Sequence, residues 1–204
     1  MIGKSLSQST FQINRIMNVY DFDGTIYKND STRDFYYYLL RHYTKVIKYL
    51  PKFILDAIKY KLDVVTKTKM KETFYRFLNS FEDGEIDRIV LEFWDKHRYK
   101  IYDWYYKQKE PTDVIISASP RYILEPICKE LGVHLICSEV NVKNGDYIGL
   151  NCYGAEKVKR FYREYPDGKI DKFYSDTDSD LPLAKLAKEA YRVNCRGEIT
   201  KWLM

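Results

Sequence analysis

No stretch of this 204-residue chain approaches the roughly 20 consecutive apolar residues that a membrane-spanning helix needs. The opening segment MIGKSLSQSTFQINRI has no apolar core of the kind a secretory signal carries. Residues 1–16 therefore read as a polar, loosely held leader, with Met17 as an alternative start, and the chain reads as cytoplasmic. Cysteine is scarce. Cys128, Cys137, Cys152 and Cys195 form no C-x-x-C pair and no metal spacing with histidine, which argues against a zinc module or a disulfide scaffold and for reduced thiols. Only three histidines are present, His42, His97 and His134, with no ligand spacing, so they read as structural. Internal repeats, low-complexity tracts and the motifs of nucleic-acid-binding modules are missing too. The net charge of +5, from 34 basic and 29 acidic residues, is a mild excess that favours anionic substrates or surfaces.

What is there is enough for a real core: 45% hydrophobic residues, three Trp and an unusual 20 Tyr. Tyrosine combines apolar area with a polar tip and suits half-buried faces and ligand walls. The run Ile16 to Tyr20 has the length and Val/Tyr/Ile content of a strand. From Ser31 to Lys109 the pattern is helical. Ser31 with Asp34 resembles a capping box, and Leu39, Leu40, Tyr43, Val46, Ile47 and Leu50 repeat at helical spacing. Pro51 suits the first turn of a second helix, Met70 to Phe81 mark a third, and Ile86 to Trp104 a long fourth that stops before Pro111.

After Pro111 strands and helices alternate. DVIIS, HLICS, DKFYS and YRVNC read as strands, and YILEPICKELG, AEKVKRFYREY and LPLAKLAKEA as helices, with an Asn144-Gly145 hairpin turn between. This predicts an α/β fold, a Rossmann-like parallel sheet flanked by helices. Residues 17–29 and 111–204 would form the core. Residues 30–110 would be an inserted α-helical cap over the sheet's carboxyl edge, where such folds bind ligands.

The chemistry concentrates in NVYDFDGTIY, residues 18–27. In an extended segment Asp21 and Asp23 project together while Phe22 turns to the core. Gly24 permits a sharp turn and Thr25 adds a hydroxyl. The stretch is either a solvated turn or one wall of a charged site where two carboxylates divide the work of nucleophile and general acid–base. Other strand ends add Ser117, Asp176 and Asp180, and Lys157 lies in the first turn of the helix after Gly154.

In this order, D-x-D-G-T at Asp21 to Thr25, Ser117, Lys157 and D-x-x-x-D at Asp176 to Asp180 resemble the haloacid dehalogenase (HAD) superfamily, across residues 17 to about 196. The helical insert after the first motif resembles its phosphoserine-phosphatase-like branch. The resemblance implies a phosphatase acting through an aspartyl phosphate. Asp21 would be the nucleophile and Asp23 the general acid then base. Mg²⁺ would be held by Asp21, the Asp23 carbonyl, Asp176 and Asp180. The phosphate would be held by Ser117, Lys157, Thr25 and N–H groups near Phe22 and Gly24. Asp23 departs from the dehalogenase pattern. Asp30 and Arg121 are candidates for reading the substrate, with Arg33, Arg41 and Arg76 further candidates for a substrate carboxylate, and Asp30 also suits a helix cap.

The expected partner is a small phosphorylated substrate, with no nucleic acid. A binding module with a vestigial phosphatase site is the alternative from another class. Residues 33–76 hold 11 basic and 4 acidic residues, net +7, which suits either a solvated helical face or peripheral contact with an anionic membrane and a lipid-linked phosphate.

Overall fold

A computed structural model describes residues 16–203, so the expected leader lies outside the described residues apart from Ile16. Ile16 opens β1 (Ile16–Tyr20), followed by α1 (Ser31–His42), α2 (Leu50–Lys61), α3 (Lys67–Tyr75), α4 (Glu85–His97) and α5 (Asp103–Gln108). Then come β2 (Val114–Pro120), α6 (Arg121–Leu131), β3 (His134–Ser138), α7 (Ala155–Glu164), β4 (Lys169–Ser175), α8 (Leu181–Ala184), β5 (Ala187–Val193) and β6 (Ile199–Lys201).

The strands form one sheet in the order β3-β2-β1-β4-β5-β6, parallel except for the β5–β6 pair. This is the expected α/β architecture. Successive residues of β2 explain its continuous apolar run. Val114 and Ile116 join one cluster with Met17, Val19, Phe161 and Phe173, while Ile115 joins the other with Tyr20, Phe22 and Phe35. A strand buried on both faces needs no polar alternation. β1 has β2 on one side and β4 on the other, so the chain reverses direction across the sheet there. The crevice at the carboxyl ends of such a switch point is where open α/β sheets bind ligands.

The helices between β1 and β2 share the larger apolar cluster with the sheet. Trp94 Nε1 of α4 donates to the Ile123 carbonyl of α6 at 2.7 Å, buried. α2 packs on α3 and buries none of its residues fully. Among the described residues no helix is long and apolar enough to cross a membrane.

Several local expectations are corrected. The first periodic stretch is not one helix, because α1 ends at His42 and Thr44–Tyr49 winds as a 3₁₀ helix into α2. The long fourth helix is interrupted at Ile101, whose extended backbone bridges Tyr27, while Tyr102 N donates to Ile26 O and Lys28 N to Lys100 O. LPLAKLAKEA is helical only over Leu181–Ala184. From Ala187 the chain is β5, paired along β4, so sheet pairing overrides the helix propensity of the Ala/Lys/Glu run. The polar edge strand β6 was not expected. The Asn144-Gly145 turn is present, with Gly145 at φ +79° and its N–H on Asn141 O. All four cysteines are free thiols, three of them buried.

Candidate active site

The site grows from the end of β1. Asp21 N donates to Tyr174 O at 2.9 Å, which extends the β1–β4 pairing and fixes the carboxylate at the sheet edge. Phe22 is fully buried between Tyr27 and Trp94, so the alternation of an extended chain turns Asp21 and Asp23 outward. The chain then folds back tightly, with the N–H groups of Thr25, Ile26 and Tyr27 all on Phe22 O.

Lys157, in the first turn of α7, crosses to this edge. Its ammonium donates to Asp21 Oδ1 and to Asp180 Oδ2, each at 2.7 Å. Lys157, Asp21 and Asp180 are 2%, 6% and 0% exposed. Ser175 Oγ at the end of β4 also donates to Asp180 Oδ2, at 2.9 Å. Burial disfavours the ammonium, but two carboxylates outweigh it and hold Lys157 charged above its ordinary range. Burial pushes the Asp21 carboxyl up to about 8 against the pull of Lys157, with Asp180 and Asp23 adding to the rise.

Asp23 has different partners. Its Oδ1 accepts from Ser31 N at 2.6 Å and its Oδ2 from Ser119 Oγ at 2.5 Å. Burial, then Asp30, pushes Asp23 up to about 6, partly offset by these bonds. A carboxyl tuned towards neutrality suits proton transfer in both directions.

The remaining expected residues divide. Ser117 is buried, its Oγ accepting from Ser119 N at 3.0 Å, so it reaches Asp23 through Ser119. Thr25 Oγ1 is buried without a partner. Asp176 lies on the exposed lip after β4, against Gly24, where a Cβ on Gly24 would meet Asp176 Oδ2 at 2.2 Å. The Gly24 N–H is turned inward onto the carbonyls of Tyr27 and Asn29, so the expected donation to a phosphate is replaced by a steric role.

Asp30 is the N-cap of α1, accepting from Arg33 N at 2.8 Å. The capping box expected from Ser31 and Asp34 is absent. Ser31 N serves Asp23 instead, and Asp34 binds Tyr27 Oη and Lys100 Nζ, each at 2.8 Å. Arg121 is not brought to the aspartates. It is held at 2.5 Å on Glu139, with Glu125 at 4.0 Å.

Ser119, Ser31, Thr32 and Ser175 are site residues that sequence reasoning missed. Ser119 was within reach, since a strand residue two past Ser117 faces the same way.

Among the described residues no three His, Cys, Asp or Glu side chains converge into a metal cage. The donor set nevertheless fits Mg²⁺, which is held by one or two carboxylates, waters and substrate phosphate rather than by an all-protein cage. Asp21, Asp23, Asp176 and Asp180 gather at one sheet edge beside Lys157, and the buried Asp180 Oδ1 has no hydrogen-bond partner.

The sequence matches the family model described as haloacid dehalogenase-like hydrolase over residues 19–185. It is 26% identical over 200 residues to Protein CicA of Caulobacter vibrioides, covering 87% of this chain and 86% of that protein. The fold is similar to a protein of unknown function from Bordetella pertussis Tohama I, with a TM-score of 0.68 at 18% identity, over 87% of this chain and 89% of the other. It is also similar to a probable phosphoserine phosphatase from Vibrio cholerae, with a TM-score of 0.54 at 12% identity, over 86% of this chain and 55% of the other. At these identities the solved structures speak for the fold.

Proposed function

The chain belongs to the haloacid dehalogenase-like hydrolase family, and from that premise we propose that it is a Mg²⁺-dependent phosphatase of phosphomonoesters that works through an aspartyl phosphate at Asp21. The observation that carries this reading is the buried Lys157 ammonium bridging Asp21 and Asp180 at 2.7 Å, beside a second carboxylate, Asp23, with separate partners. A solvated turn would need neither the buried cation nor the division of partners.

With Oδ1 of Asp21 held by Lys157, Oδ2 attacks phosphorus in line and the bond from phosphorus to the leaving oxygen breaks. Asp23, protonated, gives its proton to that oxygen and the alcohol departs. Asp23, now a carboxylate, takes a proton from water as the water attacks phosphorus. The bond from phosphorus to Asp21 breaks, releasing phosphate and restoring both aspartates. Ser119 and the Ser31 N–H fix the orientation of Asp23 through both steps.

Mg²⁺ would be held by Asp21, the Asp23 carbonyl, Asp176 and Asp180, supplying positive charge against the phosphate dianion. That charge matters. Two like unit charges 4 Å apart repel by about 4 kcal/mol at an effective dielectric of 20, and a dianion meets an attacking carboxylate about twice over. Lys157 offsets part of this repulsion and Thr25 offers its hydroxyl.

The test is hydrolysis of p-nitrophenyl phosphate with and without Mg²⁺, in the wild type and in Asp21→Asn. Turnover that requires Mg²⁺ and disappears in Asp21→Asn is the expected result. Full activity of Asp21→Asn would remove the covalent route, and a folded protein inert on every phosphomonoester would favour a binding module.

A further inference from the structure

A cavity of about 380 Å³, within the size range of small-molecule sites, reaches Ser119, whose hydroxyl donates to Asp23. One end is polar. Thr32 and Ser119 line it, their hydroxyls 2.9 Å apart, and Ser119 is the residue bound to Asp23. Away from that end the wall is Tyr36, Leu40, Leu50, Phe53, Met70 and Phe74, from α1, α2 and α3. Its rings brace one another, Tyr36 on Phe74 at 4.5 Å and Phe53 on Phe74 at 4.9 Å between centroids, so the space is preformed.

The charged residues of the lining are Asp30, Arg33 and Lys71. Asp30 and Arg33 are exposed, Lys71 is half-buried, and Asp30 Oδ1 caps α1 through the Arg33 N–H, while Arg121 lies outside the lining, held on Glu139. The rest of the wall beyond the polar end is apolar, so an ammonium and a carboxylate carried past these residues would lose water against aromatic rings. An alkyl chain gains from the same walls. α2 forms the outer side of the cavity through Leu50 and Phe53, and its Ile54, Leu55 and Ile58 are about half exposed, so the apolar character continues outward.

Building on the phosphatase reading above, we propose that the substrate is a phosphomonoester whose leaving alcohol carries a single apolar alkyl chain. The phosphate sits at Asp21 and the chain runs past Ser119 into this cavity. Of the basic residues in 33–76, Lys45 is bound to Glu85 at 2.9 Å and Lys59 lies 3.9 Å from Asp56, while Arg33 and Lys71 line the cavity. Selectivity for chain length therefore comes from the apolar wall.

The test measures kcat/KM with Mg²⁺ along ethyl, butyl and hexyl phosphate, with phosphoserine and p-nitrophenyl phosphate alongside. Each methylene removed from water is worth up to about fourfold, so hexyl should exceed ethyl phosphate by roughly 10²-fold. Met70→Gln, which keeps size but adds polarity, and Leu40→Trp, which fills the space, should each lower the hexyl-to-ethyl ratio at least about tenfold. Circular dichroism checks that both variants fold, and the wild-type series stands without them.

A second arm offers hexadecyl phosphate at low mole fraction in phosphatidylcholine vesicles. Turnover there places the substrate in a bilayer, and turnover of the free esters alone makes it a soluble amphiphile. Either supports the chain chemistry. A flat or falling series, with p-nitrophenyl phosphate still hydrolysed, overturns this inference and leaves the phosphatase reading standing. Hydrolysis of no ester overturns both.

Discussion

Replacing Lys157 by Met removes one positive charge from a place where water cannot substitute for it. Lys157, Asp21 and Asp180 are at most 6% exposed, and both ammonium–carboxylate distances are 2.7 Å. Removing one partner of a buried ion pair costs about 3–5 kcal/mol, because the remaining charge stays buried without compensation. The Asp180 carboxylate is left without its cation, while Asp21, raised to about 8 even beside Lys157, is mostly protonated at neutral pH, so the lower end of that range is expected there. The pH dependence follows from the directions. The folded pKa of Lys157 is raised, so its contribution is complete below its ordinary value near 10.4 and is lost only as pH rises through the folded value. The folded pKa of Asp21 is raised to about 8, so its buried charge is unfavourable as pH rises from about 4 towards 8. Lys157→Met removes the pull that lowers the Asp21 pKa, so the two proteins differ in Asp21 ionisation only as pH rises through about 8, where the wild-type carboxyl ionises and the variant's does not. Urea unfolding in the presence of a chelator, from pH 6 to pH 9.5, should show a deficit that is nearly flat below pH 7 and grows above pH 8. Adding Asp180→Asn should recover part of the neutral-pH deficit, since the carboxylate stranded there disappears. A deficit under about 1 kcal/mol, or one that does not change with pH, would refute the account of a buried, charge-coupled triad.

Asp23→Asn should retain phosphate binding while kcat falls about 10²–10⁴-fold, the usual scale of general acid–base help, and unchanged kcat would assign that role elsewhere. Gly24→Ala forces a side chain into φ +75° and against Asp176 at 2.2 Å. It should cost about 1–3 kcal/mol of stability and weaken activation in a Mg²⁺ titration of turnover, and an unchanged titration midpoint would separate Asp176 from the metal. Asp34 is raised by burial, but Lys100, Tyr27 and Asn29 outweigh this and hold its pKa below the usual value. Its contribution is thus present above about pH 4 and lost as pH falls through the folded value. The stability gap between wild type and Asp34→Asn should be about 1–3 kcal/mol at pH 7 and close towards pH 2, and a constant gap would contradict the pairing with Lys100.

Which residues were legible in the sequence follows from how local their causes are. The strand before Asp21 and the outward pair Asp21 and Asp23 follow from a short apolar run and a period of two. Lys157, 136 residues away from Asp21, was readable only through the order of motifs, because nothing local marks a lysine that crosses to another element. Ser119 was readable from the same period of two that joins it to Ser117, although β2 shifts register against β3 between Ser117 and Pro120. The role of Ser31 was misread as a cap because a backbone N–H, not the hydroxyl, does the binding. Ala187 to Ala190 has helix-forming composition and becomes the first half of β5 through pairing with β4, joining the strand expected from Tyr191, and Ile101 leaves its helix because Tyr27 offers a bridge. Both depend on partners distant in the chain, which periodicity does not report.

The most direct test of the central claim is to trap the covalent intermediate. The protein is quenched in acid during turnover with Mg²⁺ and a phosphomonoester, and reduced with borohydride. An acyl phosphate is converted to the alcohol, so peptide mass spectrometry should find homoserine at position 21, dependent on substrate and Mg²⁺ and missing when Asp23 alone is examined. Unmodified Asp21 throughout, in a protein that is turning over substrate, would contradict nucleophilic attack by Asp21.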